Sequence, residues 1–161
     1  MTSDPGAAKL DRIDQNILRI LQEEGRISNV ELARRIHLSP TPCLERVRRL
    51  EREGYIRQYV ALLDPDRLER PLAAYVEVRL DHTTSDAFRI FADAMRRFDD
   101  VQEAHMVAGG FDYLIKVRVA DMADYRAFLG ELTSIKGVSQ THTYMVMEEV
   151  KNTHVLPVPG R

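Results

Sequence analysis

The chain has 161 residues, 44% of them hydrophobic and 30% charged, which is the balance of a globular protein with room for one domain or two small ones. No stretch reaches the roughly 18 consecutive apolar residues of a membrane span, and the first residues, MTSDPGAAKLDRID, lack the basic start and apolar core of a signal peptide. A single cysteine excludes an internal disulfide and suits a reducing cytoplasm, while the net charge of −2 is close to neutral overall and informative only once divided along the chain.

Residues 1–9 read as a disordered lead-in. Leu10, Ile13, Ile17, Leu18 and Leu21 then form the apolar stripe of a first helix that Gly25 ends. The run from Ser28 to Tyr55 is the most telling segment. Ser28 and Glu31 form an S-x-x-E capping box that predicts a helix start, and Val30, Leu32, Ala33 and Ile36 give that helix one apolar face. His37-Leu38-Ser39-Pro40 is a break of the length that joins two steeply crossing helices. Ser39 is placed to cap the second helix, and Pro40 and Pro42 fall in its first turn, where the missing N–H groups cost nothing. Leu44, Val47 and Leu50 recur on one side of it, Arg46, Arg48, Arg49 and Arg52 occupy the others, and Gly54 stops it. A helix-turn-helix with a cationic second helix results. Residues 1–60 hold eleven Lys/Arg against nine Asp/Glu, whereas residues 61–161 hold twelve against sixteen. Within 34–57 the count is seven Arg against three Glu, so positive charge is focused on the helix pair. Residues 55–63 read as a strand or wing edge, and Asp64-Pro65-Asp66 with Arg70-Pro71 bracket a linker over 64–71.

The remainder carries an internal repeat. A shift of 37 residues superposes Ala74, Val76, Val78 and Leu80 on Phe111, Tyr113, Ile115 and Val117. It also superposes Phe88, Phe91, Met95 and Phe98 on Tyr125, Phe128, Leu132 and Ile135, then Val101 on Val138 and His105 on His142. The first and last sets alternate with a period of two and the middle set has helical spacing, so each unit is strand–helix–strand. The α+β fold expected is therefore a winged helix-turn-helix at 10–63 followed by a βαββαβ ferredoxin-like sandwich at 72–152, with a tail at 153–161. The sheet face away from the helices needs cover, and a second subunit would supply it.

In a helix-turn-helix the second helix enters the major groove N-terminal end first. That brings Ser39, Thr41, Pro42, Glu45, Arg46, Arg48, Arg49 and Arg52 to bases and flanking phosphates, with Ser28 holding a phosphate at the start of the preceding helix. Arginine suits bidentate contact with guanine and Glu45 could accept from cytosine. The competing reading makes Glu45, Arg48, Glu51 and Arg52 a solvated face of i,i+3 and i,i+4 pairs. Cys43 sits in the first turn among arginines, a place that lowers a thiol pKa, but Leu44 and Val47 beside it favour packing over redox sensing. In the loop Val107-Ala108-Gly109-Gly110-Phe111-Asp112-Tyr113 the glycines permit close backbone approach, and Asp112 could meet an α-ammonium group or simply cap a hairpin turn. The five histidines form no metal-ligand spacing, no metal or other cofactor is expected, and no nucleophile–base pair or phosphate loop suggests an enzyme.

The segments LDRIDQNIL, GRISNVELARRI, LSPTPCLERVRRLEREGYI, GGFDYLIKVRV and TYMVMEEV, in that order over residues 10–152, closely resemble the Lrp/AsnC transcription regulators. The resemblance implies a DNA-binding domain, a hinge and an effector-binding sandwich, with dimers assembling further to octamers. It implies an amino-acid effector, leucine or another branched-chain or hydrophobic amino acid, held by Val107, Gly109, Gly110, Asp112 and Tyr113. Met122 would line the apolar end, and Thr141, Thr143, Tyr144 and Val146 would complete the site from a neighbouring subunit. A cytoplasmic, nucleoid-associated regulator of amino-acid metabolism follows. A local activator of branched-chain amino-acid catabolism, or a sensor or scaffold that binds no DNA, are the alternatives. Three positions depart from the family pattern: His37 where such turns often carry glycine, Gly110 where a relative has an acidic residue, and a lead-in with only Lys9 in place of a basic arm.

Overall fold

Helix α1 (Arg12–Glu23) starts at Asp11, whose carboxylate accepts the Asp14 N–H at 2.8 Å while the Asp14 carboxylate accepts the Asp11 N–H at 3.2 Å. This reciprocal box satisfies two backbone donors that a helix N-terminus otherwise leaves unpaired. The computed structural model describes residues 10–159, so the lead-in expected at 1–9 lies outside the described residues. The chain forms two units: described residues up to Leu62 together with 151–159, and Leu63–Val150.

In the first unit α2 (Asn29–Arg35) and α3 (Pro40–Arg52) follow α1. Ile17, Leu32, Ala33, Ile36, Cys43 and Leu50 form its core, with Leu10, Ile13, Leu18, Leu21 and Val47 packed around them. Each fully buried aliphatic side chain here is worth about 1.5–3 kcal/mol. Four local expectations need correction. Ser28 accepts the Glu31 N–H, but Glu31 turns to Arg34 and Arg35 instead of closing the box. Val30 is 67% exposed, since Leu32, Ala33 and Ile36 already fill the narrow α2 contact. Ser39 makes no side-chain cap bond; Pro42 at the third helical position removes one of the two N–H groups that a cap side chain serves. Leu44 lies at the surface and Cys43 takes its place in the core. Residues 55–63 contain no strand, and no strand among the described residues pairs with them. Tyr59 within it donates to Glu51 at 2.9 Å, and burial followed by that carboxylate pushes its phenol up to about 12.

The turn between α2 and α3 hinges on His37, which has φ 57. This left-handed conformation costs a non-glycine residue about 1–2 kcal/mol. His37→Gly should therefore gain roughly 0.5 kcal/mol after glycine's larger unfolded-state entropy is discounted. His37→Val should lose about 1 kcal/mol or more. Chemical denaturation of both variants checks the order; a glycine variant less stable than the valine one would contradict it. The C-terminal tail returns to α1, where Gln22 donates to the Leu156 carbonyl and accepts the Leu156 N–H at 2.7 Å.

The second unit contains β1 (Leu72–Leu80), α4 (Ser85–Met95), β2 (Val101–Met106), β3 (Tyr113–Val119), α5 (Met122–Ser134) and β4 (Val138–Met145). The strands form one antiparallel sheet in the order β2-β3-β1-β4, the split-βαβ arrangement that the repeat predicts. The 37-residue period is kept: α4 and α5 start at Ser85 and Met122, behind caps Thr84 and Asp121, and β2 and β4 start at Val101 and Val138. Phe111 departs from it, lying in the loop before β3. Ala74, Val76, Val78, Leu80, Tyr113, Ile115, Val117 and Val119 pack with Phe91, Met95, Tyr125, Phe128 and Leu132 to make the core.

Alternation puts Tyr75, Glu77, Leu114, Lys116, Arg118, Glu103, His105, His142 and Tyr144 on the opposite sheet face. That face was expected to be apolar, and it is mostly charged and aromatic. Lys116 is nearly buried there, 3.9 Å from Glu103 and 3.8 Å from Glu149, and Arg118 meets Glu149 at 3.0 Å. His105 and His142 do share this face, as their repeat positions imply.

Candidate functional site

Helix α3 buries Cys43 and Leu50, with Val47 packed against them. The opposite stripe at helical spacing is Thr41, Glu45, Arg48 and Arg52, all exposed. Ser39 is also exposed, ahead of the first turn. Because Pro40 and Pro42 lack N–H groups, the helix start offers little backbone for a phosphate, and hydroxyls of Ser39 and Thr41 dominate it. Asn29 links α2 to this turn by donating to the Pro40 carbonyl at 2.8 Å.

Arg46 and Arg49 leave that stripe and turn toward α1. Arg46 Nη1 lies 2.7 Å from Asp11 and 2.8 Å from Asp14, and Arg49 Nη2 lies 2.6 Å from Asp14. Asp14 is 1% exposed. The Asp11 carboxyl is held below its ordinary range, first by the Asp14 N–H and also by Arg46. An open groove of about 430 Å³ beside these pairs is lined by Asp11, Pro42, Glu45, Arg46 and Arg49. On α2, Arg34 and Arg35 are held by Glu31 and Glu24, and hydrogen bonds from Arg34 and then Arg35 lower the Glu31 carboxyl to about 2. Arg48 and Arg52 have no carboxylate partner among the described residues. Two of the four arginines expected from the sequence to meet DNA, Arg46 and Arg49, are thus engaged within the protein. The acidic partners in LDRID carried the signal, since Asp11 and Asp14 share one end of α1. Burial of Cys43 pushes its thiol up, which opposes redox sensing.

The second site is built on the β2–β3 loop. The Asp112 N–H donates to Val78 at 2.9 Å, its carbonyl accepts the Val107 N–H at 3.0 Å, and its carboxylate accepts the Leu80 N–H at 2.7 Å. Asp112 therefore substitutes for a missing β3 residue at the end of β1. Its second carboxylate oxygen has no protein partner among the described residues. Tyr113 is buried and donates to the Phe88 carbonyl, so its ring belongs to the core while its backbone borders the loop. Burial and then the Asp112 charge raise its phenol. Arg79, which sequence reasoning did not select, donates to the Gly110 carbonyl.

Register brings Tyr113 and Thr141 to either side of Val78, and Thr143 beside Val76, where it meets the Tyr125 hydroxyl. Met122 and Val146 stand elsewhere: Met122 opens α5 beyond the far end of β3, and the Val146 N–H binds Ala73 near the start of β1. Six β3 steps, about 20 Å at strand rise, separate Tyr113 from Val119 and hence the loop from Met122. Tyr144 lies on the other sheet face, opposite Tyr75. One subunit does not gather the predicted effector residues into one pocket.

Residues 10–57 match the model of winged helix-turn-helix DNA-binding domains, and residues 73–156 match that of the Lrp/AsnC ligand-binding domain. The leucine-responsive regulatory proteins of Klebsiella pneumoniae and Escherichia coli K12 are each 54% identical over 94% of this chain and 93% of theirs. A Neisseria meningitidis transcriptional regulator solved with L-Met superposes with TM-score 0.90 at 38% identity, covering 94% of this chain and 98% of that one. An AsnC-family transcriptional regulator of Agrobacterium tumefaciens gives TM-score 0.88 at 34% identity, covering 92% and 97%.

Proposed function

The chain belongs to the Lrp/AsnC family of amino-acid-responsive, DNA-binding transcriptional regulators, and on that premise we propose that leucine or another branched-chain amino acid is its effector. The observation that carries this reading is the 54% identity to leucine-responsive regulatory proteins across both units. The L-Met complex of the Neisseria regulator makes methionine the next amino acid to test. The regulator works in the cytoplasm on nucleoid DNA and carries out no catalysis.

The effector's α-ammonium group meets the open oxygen of Asp112, and Val107, Gly109 and Gly110 close around its carboxylate and stem. Met122, Tyr144 and Val146 reach the site from another copy, since they stand away from the loop within one chain. A second copy is therefore needed before a site is complete, and the assembly proposed is an octamer built from dimers. Ser28, Ser39, Thr41, Pro42, Glu45, Arg48 and Arg52 serve DNA, and paired recognition helices address half-sites about 34–36 Å apart or a multiple of that. Control of branched-chain amino-acid catabolism is the narrower role that fits the same effector.

Asp112→Asn tests the effector site without unpicking the strand end, because asparagine still accepts the Leu80 N–H. A hydrogen bond to a charged group is worth about 1.5–3 kcal/mol, so leucine affinity by calorimetry should fall roughly tenfold or more with the melting temperature nearly unchanged. Unaltered affinity would leave Asp112 as a turn cap only.

A further inference from the structure

The four arginines of α3 are not equivalent, and we infer that Asp14 withholds Arg46 and Arg49 from DNA, leaving Thr41, Glu45, Arg48 and Arg52 as the stripe that meets the duplex. This rests on the reading of the first unit as DNA-binding and goes further, by separating residues that read DNA from residues that position the reader.

Three observations converge. First, Asp14 is 1% exposed and receives both guanidiniums, Arg46 at 2.8 Å and Arg49 at 2.6 Å. A phosphate that drew both away would leave a buried carboxylate unpaired, which is costly, whereas Arg48 and Arg52 lose no partner on reaching DNA. Second, Asp14 is itself fixed by the reciprocal box with Asp11, so the ion pairs join a rigid helix start to the middle of α3. Asp11 adds a second contact to Arg46 at 2.7 Å. Third, the arginines that turn toward α1 flank the helix, while Thr41, Glu45, Arg48 and Arg52 lie opposite Cys43, Val47 and Leu50. Asp14 is thus a positioning residue. It sets the roll of α3 and neutralises charge that would otherwise bind any phosphate.

The test is the salt dependence of binding to a mixed-sequence duplex by the full-length protein, with thermal melts of every variant alongside. Each phosphate contact contributes about 0.9 to the slope of log affinity against log salt. Arg48→Gln and Arg52→Gln should flatten the slope by about that amount per bound helix. Arg46→Gln and Arg49→Gln each leave one guanidinium on Asp14; they should lower the melting temperature yet keep the parent slope. Asp14→Asn should steepen the slope as the two arginines become available, and Asp11→Asn should do so more weakly through Arg46 alone. Asp11 is about half exposed, so its variant and the two arginine variants decide the matter even where Asp14→Asn fails to fold. A flattened slope for Arg46→Gln or Arg49→Gln overturns the inference, as does a parent slope in Asp11→Asn and Asp14→Asn, or in both Arg48→Gln and Arg52→Gln. A parent protein that binds no duplex at all overturns the DNA-binding reading itself, and the inference with it.

Discussion

Phe91→Ala should destabilise the 63–150 unit by about 3–5 kcal/mol, the cost of truncating a fully buried aromatic side chain. Phe91 is 0% exposed in the middle of α4, and its ring centroid is 4.4 Å from that of Tyr113, the first residue of β3. Tyr113 in turn anchors to the Phe88 carbonyl and is buried between the two phenylalanines. The cavity left by alanine therefore lies directly beneath the loop that carries Asp112. Neighbouring α4 residues cannot refill it, since the helix fixes their positions and Phe88 and Met95 already pack in the same core. Phe91→Leu should cost well under half as much, because leucine retains most of the apolar volume. Chemical denaturation measures both. Effector affinity should fall with Phe91→Ala even under conditions where the unit remains folded, because Tyr113 loses its support. A loss below about 1 kcal/mol would contradict the packing described.

The double variant Arg46→Ala/Arg49→Ala should be the more damaging change in the first unit, at about 3 kcal/mol. Removing both guanidiniums leaves the Asp14 carboxylate buried with only the Asp11 N–H, and breaking a buried pair in this way typically costs about 3–5 kcal/mol. The lower end applies because the arginine side chains are about 30% exposed and water can reach them. Adding Asp14→Asn to the double variant should recover a large part of the loss, since no charge then remains to be buried. Urea denaturation of the three proteins checks this. Equal stability of parent and double variant would remove the structural role of these arginines.

Much of this was legible in the sequence, and the parts that were not share a cause. Helical and strand periods placed the five helices and four sheet strands of the described residues, because buried stripes such as Phe91–Met95 and Val76–Val78 are local signals. The 37-residue repeat located α5 and β4 from α4 and β2. Partnership was harder to read. Arg46 and Arg49 look like Arg48 and Arg52 until α1 is packed beside them, for a one-dimensional charge count has no place for Asp14, 32 residues from Arg46. The positive field over 34–57 is correspondingly narrower than its count implied. Arg34, Arg35, Arg46 and Arg49 are spent on internal carboxylates, and Arg48 and Arg52 carry the outward charge of α3. Residues 55–63 alternate only roughly, and no strand among the described residues pairs with them. In the β2–β3 loop, G-G-x-D specified a turn correctly, whereas the distance of Met122 and Val146 from it depends on sheet register.

The effector site proposed above would link ligand to assembly through ordinary chemistry. An amino acid that seats on Asp112 only when a second copy supplies Met122, Tyr144 and Val146 would have different affinities for separate and assembled forms. Such a difference is what lets a ligand shift assembly, and with it the spacing of recognition helices on DNA. A coupling of about 1–3 kcal/mol, or roughly 5–150-fold in affinity, is the usual scale.

The most direct measurement is the binding isotherm of the full-length protein on a duplex that it selects from a random pool, recorded with and without saturating leucine while light scattering follows assembly mass. The account predicts tight, salt-sensitive binding whose affinity shifts at least about fivefold with leucine, accompanied by a change in assembly mass. Superimposable isotherms and unchanged mass with leucine, and likewise with each other branched-chain amino acid and methionine, would contradict it.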